Sequence, residues 1–184
     1  MNVTPVKPQP KPVTLDAKKT ALIVLDQNQQ VEEPGSHGHT LIPGLTKLLA
    51  KARKAGIYIM FTVPRILKGT PHEQVYSSYQ RKSTEPVIYP DGYDKFVGGE
   101  MEGLLKQKPT VDTLIFVGSR SNLSVLYTAT RAARNFLYKV VIPVDGHAAE
   151  SRYEEEYTLH QFATFPGGVS ERFTFTTIDG ISFR

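Results

Sequence analysis

Runs of residues that are apolar at nearly every position constrain this chain most. The first, Thr20-Ala21-Leu22-Ile23-Val24-Leu25, ends in the carboxylate of Asp26, and a second over residues 57–63 closes at Pro64. Two more, at 111–117 and 138–144, end at Gly118 and Asp145. A strand-length run without polar alternation is buried on both faces, which requires a parallel sheet covered on each side. Helical patterns at 41–55, 96–106, 125–135 and 148–162 separate these runs, and a last strand is expected at 172–177. Such alternation predicts an α/β fold, a parallel sheet covered on both faces. Ligands in these sheets bind beyond the carboxyl ends of the strands, so one mouth should gather Asp26 and the residues after Gly118.

The 184 residues suit one compact domain, over residues 14–184, behind a proline-rich N-terminal arm at 1–13. Pro5, Pro8, Pro10 and Pro12 favour extended polyproline geometry in that arm. It reads as a loosely ordered tail, or in an oligomer as a segment lying across a neighbour. The net charge is only +4, and Lys47, Lys51, Arg53 and Lys54 form the solvated face of one helix. No basic patch interleaved with aromatics points to nucleic acid, and no apolar run or leader points to a membrane. A cytoplasmic location is the default expectation. Zero cysteines excludes disulfides, thiolate metal sites and thiol catalysis.

The stretch from Leu114 to Ala129 carries the chemistry. An apolar strand breaks at Gly118, passes through Ser119-Arg120-Ser121-Asn122, and opens an alanine-rich helix. Backbone N–H groups converge at such a helix start and favour negative charge, so Ser124 occupies a place suited to a nucleophile or an oxyanion. A plain strand-to-helix turn with Ser121 or Asn122 as the cap accounts for the same residues.

The string Ala21-Leu22-Ile23-Val24-Leu25-Asp26 followed by Pro34-Gly35 resembles the opening of the isochorismatase-like hydrolases, the cysteine hydrolase superfamily of nicotinamidases and N-carbamoylsarcosine amidases. The similarity continues in Phe96-Val97-Gly98-Gly99-Glu100-Met101 and is best over Gly118 to Ala129, then Ala132 and Asp145. It covers almost everything after the arm. The resemblance implies a three-layer αβα Rossmann-like domain with a parallel sheet of about six strands, a homodimer or homotetramer, a small-molecule substrate, and no nucleotide or other cofactor. It assigns Asp26 as the catalytic acid/base. Ser124 stands at the position of the nucleophilic cysteine. The family's lysine, counted back from Phe96, falls at or beside Pro90, and neither Lys82 nor Lys95 matches it, so two of three catalytic identities are missing.

That departure matters chemically. A thiol with a pKa of about 8.5 is within reach of a carboxylate base, whereas a serine hydroxyl normally needs a histidine oriented by a third group. His147, two residues after Asp145, is the histidine to consider for an Asp26–His147–Ser124 triad. Three readings follow: Ser124 is an engineered replacement for the cysteine of an amide hydrolase; the chain is a nucleophile-free variant acting on an amide or a vinyl-ether acid; or it is a non-catalytic, oligomeric binding module.

In nicotinamidases a metal is held by an Asp-x-His pair after the second strand, where this chain has Val63-Pro64-Arg65-Ile66. His37 and His39 lie two apart in a glycine-rich loop without a third ligand, so no metal is expected. Arg65 can offer a guanidinium to an anionic substrate, or simply be solvated. The resemblance places the oxyanion hole at the backbone N–H groups of Arg120 and Ser124, beside a cis Ser119–Arg120 peptide. Arg120 replaces the small residue usual there, giving a narrower or more positive pocket. Asn122, Pro90 and His147 are further candidates for substrate contact. Tyr89, Tyr93, Tyr127 and Phe96 could wall the pocket, but aromatic residues at these spacings are more often core or interface.

Overall fold

A computed structural model describes residues 5–184; the first four residues of the arm lie outside the described residues. Along the chain come β1 (Val13–Leu15), β2 (Thr20–Leu25), α1 (Ile42–Lys54), β3 (Tyr58–Thr62) and β4 (Val87–Ile88). There follow α2 (Glu100–Lys106), β5 (Thr113–Ser119), α3 (Leu126–Arg134), β6 (Lys139–Pro143) and β7 (His147–Ala148). The chain ends with α4 (Arg152–Thr164), β8 (Phe173–Thr176) and β9 (Ile181–Phe183).

The main sheet runs β4-β3-β2-β5-β6-β8, with the short β7 paired to the end of β5, and every pairing is parallel. Strand β2 lies at its centre and is buried throughout. Leu22 and Val24 join Leu45, Leu48 and Leu49 of α1 on one face, while Ile23 and Leu25 join Met101, Ala129 and Phe162 from α2, α3 and α4 on the other. Two separate cores on either side of one sheet make the three-layer α/β architecture expected from the doubly apolar strands.

Several boundaries differ from the sequence expectation. The helix predicted from residue 96 begins at Glu100, because Gly98 and Gly99 both take positive φ and break the turn before it. The helix predicted from residue 148 begins at Arg152, where Ser151 and Glu154 form a reciprocal capping box. That frees His147 and Ala148 to pair with Gly118 and Ser119. Strands β1 and β9 carried no long apolar run; they pair with each other in a second, two-stranded parallel sheet over the α1 face. In the arm, the Val6 N–H donates to His160 Nδ1, Lys7 pairs with Glu156 at 2.9 Å, and the Lys11 N–H donates to the Phe175 carbonyl.

Candidate active site

At the carboxyl end of the sheet, Asp26, Pro64, Lys95, Arg120 and Ser124 share a cavity of about 550 Å³. Strand β2 delivers Asp26, whose backbone turns out of the strand at φ 54. Its N–H donates to the Thr62 carbonyl at 3.1 Å, so β3 fixes the turn. Gly118 allows β5 to come alongside. It has φ +118, and a Cβ there would lie 2.0 Å from the Leu25 carbonyl oxygen, a contact only glycine avoids.

Three donors converge on the Asp26 carboxylate. The Thr62 hydroxyl donates to Oδ1 at 2.8 Å, and the Ser124 hydroxyl donates to Oδ2 at 2.6 Å. Lys95 Nζ lies 2.7 Å from the same Oδ2. The lysine side chain is only 1% exposed, so its ammonium is committed to this carboxylate and to the Gly92 carbonyl at 3.2 Å. Thr128 of α3 holds the lysine from below: its Oγ1 accepts from the Lys95 N–H at 3.1 Å and donates to the Tyr93 carbonyl.

Lys95 corrects the sequence expectation that the site lacks its lysine. Pro90 does line the cavity, but the ammonium comes from Lys95, further along the same loop. The loop between β4 and α2 has no periodicity against which a position can be counted. The available signal was the lysine's setting, Tyr93-Asp94-Lys95-Phe96, between aromatics in a segment that had to be partly buried.

Ser124 sits in a π-helical turn, residues Ser121–Val125, from which α3 continues. Its widened geometry is marked by the Val125 N–H donating to the Arg120 carbonyl, and such turns are common at functional sites. The Ser119–Arg120 peptide is cis. Behind it runs a buried chain that sequence reasoning missed: the Tyr79 hydroxyl donates to Gln27 Oε1 at 2.9 Å, and Gln27 Nε2 donates to Ser119 Oγ at 3.0 Å.

His147 does not join Asp26 and Ser124. Its Nδ1 meets Ser121 Oγ at 2.8 Å, it is buried under the turn, and its Nε2 has no partner among the described residues. The imidazole is held below its ordinary value, at about 4, by burial. The triad expectation is therefore overturned, because Ser124 hands its hydrogen bond directly to Asp26. Asn122 also points elsewhere, donating to Glu154 of α4 at 2.8 Å. Asp145 accepts from the Ile178 N–H and so serves the strand end.

Arg65 lies on the exposed rim and pairs with Asp91 at 2.8 Å. Arg120 lines the cavity, donates from Nε to His37 Nε2 at 3.2 Å, and contacts Glu150. Burial, and after it the Arg120 guanidinium, push the His37 pKa below its ordinary value. His39 turns away to the Val31 carbonyl. Tyr93 lines the cavity and stacks on Tyr127, whereas Phe96 is buried in the core. Among the described residues, no group of three or more histidine or carboxylate side chains is arranged to hold a metal ion. No helix among them is long and apolar enough to cross a membrane.

The Isochorismatase domain profile matches residues 20–171. No curated protein matches the chain. Solved structures similar to it include a cysteine hydrolase from Pseudomonas syringae pv. phaseolicola 1448A, with 19% identity, TM-score 0.76, and coverage of 97% of this chain and 95% of that one. An isochorismatase family protein from Desulfovibrio vulgaris has 22% identity and TM-score 0.75 over 88% of this chain and 95% of that one. The Staphylococcus aureus nicotinamidase has 18% identity and TM-score 0.71 over 87% and 99%.

Proposed function

The chain belongs to the isochorismatase family, and on that premise we propose that it hydrolyses small amides, with Ser124 as nucleophile, Asp26 as acid/base and Lys95 holding the carboxylate. The observation that carries this reading is the single oxygen, Asp26 Oδ2, bonded to both Ser124 Oγ at 2.6 Å and Lys95 Nζ at 2.7 Å. Nucleophile and base are thus already within proton-transfer distance.

In the proposed reaction Ser124 Oγ attacks the amide carbon as its proton passes to Asp26 Oδ2. The backbone N–H groups of Arg120 and Ser124 receive the oxyanion, and the fixed ammonium of Lys95 offsets the charge that develops beside it. Collapse breaks the C–N bond, and the proton on Asp26 goes to the leaving nitrogen. Water, deprotonated by Asp26, then attacks the acyl ester. Its carbon–oxygen bond to Ser124 breaks, and the proton returns to the serine as the acid leaves. No step needs a metal.

A second reading uses the same carboxylate without a covalent step: Asp26 activates water, or protonates a vinyl ether, and Ser124 only orients it. The direct Ser124–Asp26 bond suits that role as well. Hydrolysis of a panel of small amides and vinyl-ether acids by the unaltered chain, Asp26→Asn, Ser124→Ala and Ser124→Cys separates these. The covalent reading expects losses on the order of 10²–10⁴-fold for both Asp26→Asn and Ser124→Ala. Activity that survives Ser124→Ala but not Asp26→Asn selects the second reading. Activity gained only in Ser124→Cys marks Ser124 as a replaced cysteine, and silence throughout leaves a binding module. We also expect a homodimer or homotetramer, supported by exposed Ile66, Tyr93 and Tyr127 beside the mouth; a monomeric mass in light scattering would rule it out.

A further inference from the structure

We propose that Arg120 selects substrates carrying a carboxylate close to the scissile amide, and that Glu150 occupies the guanidinium until that carboxylate displaces it. The inference rests on the hydrolase reading for the position of the amide, and on the charges of the cavity for the rest.

The charged groups lining the cavity pair off with one exception. Lys95 is spent on Asp26, and Arg65 on Asp91, and all four line the same space. Arg120 also lines it, yet its carboxylate partner does not: Glu150 stands outside, in the segment before α4, with its side chain 58% exposed. His37, the other group against the guanidinium, accepts a hydrogen bond from Arg120 Nε and is biased by burial toward its neutral form. Glu154 is held by Asn122 and by the capping box of α4. Among the described residues, Arg120 is therefore the one cation of the cavity wall without an anion inside the cavity.

An exposed arginine–carboxylate pair contributes little, because water solvates both partners. A guanidinium facing a concave site gains more from a substrate carboxylate, which it grips with two parallel hydrogen bonds while leaving less of the pair in water. The position fixes the distance as well. The Arg120 backbone N–H is the proposed oxyanion donor, so its guanidinium lies one side-chain length from the reacting carbon. The substrate is then a short half-amide of a dicarboxylic acid or a close relative, and its product is a dicarboxylate.

The test uses the full chain in low-salt buffer, with calorimetric titration by malonate, succinate and glutarate. At least one should bind the unaltered protein. Arg120→Met should weaken that binding at least ~10-fold, and Glu150→Gln should tighten it several-fold by removing the internal competitor. In parallel, kcat/KM for succinamate over its uncharged relative butyramide should exceed ~10 and fall in Arg120→Met. No binding by the unaltered protein at ~10 mM would overturn the proposal, as would unchanged affinity in Arg120→Met or weaker affinity in Glu150→Gln. If dicarboxylate binding responds to Arg120→Met and Glu150→Gln as expected but no amide is turned over, the anion site stands and the hydrolase reading fails.

Discussion

His147 gives the chain a specific weakness to acid. In the unfolded chain its imidazole titrates at about 6.5; buried beneath the Ser121–Val125 turn, it resists protonation down to about pH 4. Between these values the unfolded state binds a proton that the folded state refuses, so stability falls as pH falls. With these two pKa values the loss relative to pH 8 is about 2 kcal/mol at pH 5 and about 3 kcal/mol at pH 4. Stability from this residue is complete above pH 6.5 and declines below it. His37, also depressed, adds in the same direction but is partly solvated. Glu85 and Asp112, whose folded pKa values lie below the ordinary range, lose their contributions at lower pH still.

His147→Asn isolates the effect, because it keeps a polar atom where Nδ1 meets Ser121 and removes the titrating ring. Urea unfolding of both proteins, followed by tyrosine fluorescence at pH 8, 7, 6 and 5, gives the two stability curves. The variant starts lower, having lost ring volume. The gap should narrow by about 2 kcal/mol between pH 8 and pH 5, since the other groups are common to both. A gap that stays constant across the series would refute the argument that burial keeps this imidazole neutral.

Other substitutions test the frame around the site. Gly118→Ala should destabilise the fold by at least about 3 kcal/mol, because the methyl meets the Leu25 backbone at a φ unsuited to alanine; thermal unfolding reads this directly. Arg53→Met strands the nearly buried Glu85, which Arg53 grips through two bonds of 2.8 and 2.9 Å, and should cost about 3 kcal/mol. Adding Glu85→Gln should recover part of that loss in the same urea assay. Thr128→Val removes the acceptor for the buried Lys95 N–H, costing about 1–3 kcal/mol. On the proposed mechanism it should also lower kcat more than it raises KM, as measured by steady-state kinetics on the best amide.

The sheet was legible because parallel strands buried on both faces leave an uninterrupted apolar signature, and β2 and β5 carry it in full. Asp26 and Ser124 were legible as the residues at a strand end and a helix start, two places that the topology of such a sheet forces together. Lys95 was not, because it belongs to a segment whose path is set by tertiary contacts, Thr128 and Gly92 among them, and by no local repeat. Gln27 was hidden for a related reason. An amide in the middle of a sequence says nothing of its partners, and Tyr79 and Ser119 are distant along the chain. His147 was placed near the right loop but on the wrong partner: adjacency to a strand end fixes the neighbourhood, not the direction of a ring. The short strands β1 and β9 lie below the length at which a pattern can be read at all.

The carboxylate oxygen common to Ser124 and Lys95 has a consequence for any mutational dissection. Ser124 and Lys95 act through one oxygen of one carboxylate, so on the proposed mechanism losing either already disables the unit to which the other belongs. The separate effects of Ser124→Ala and Lys95→Met should therefore sum to more than the effect of the double variant. Only a complete double-mutant cycle, with Asp26→Asn as its common limit, apportions the work among the three.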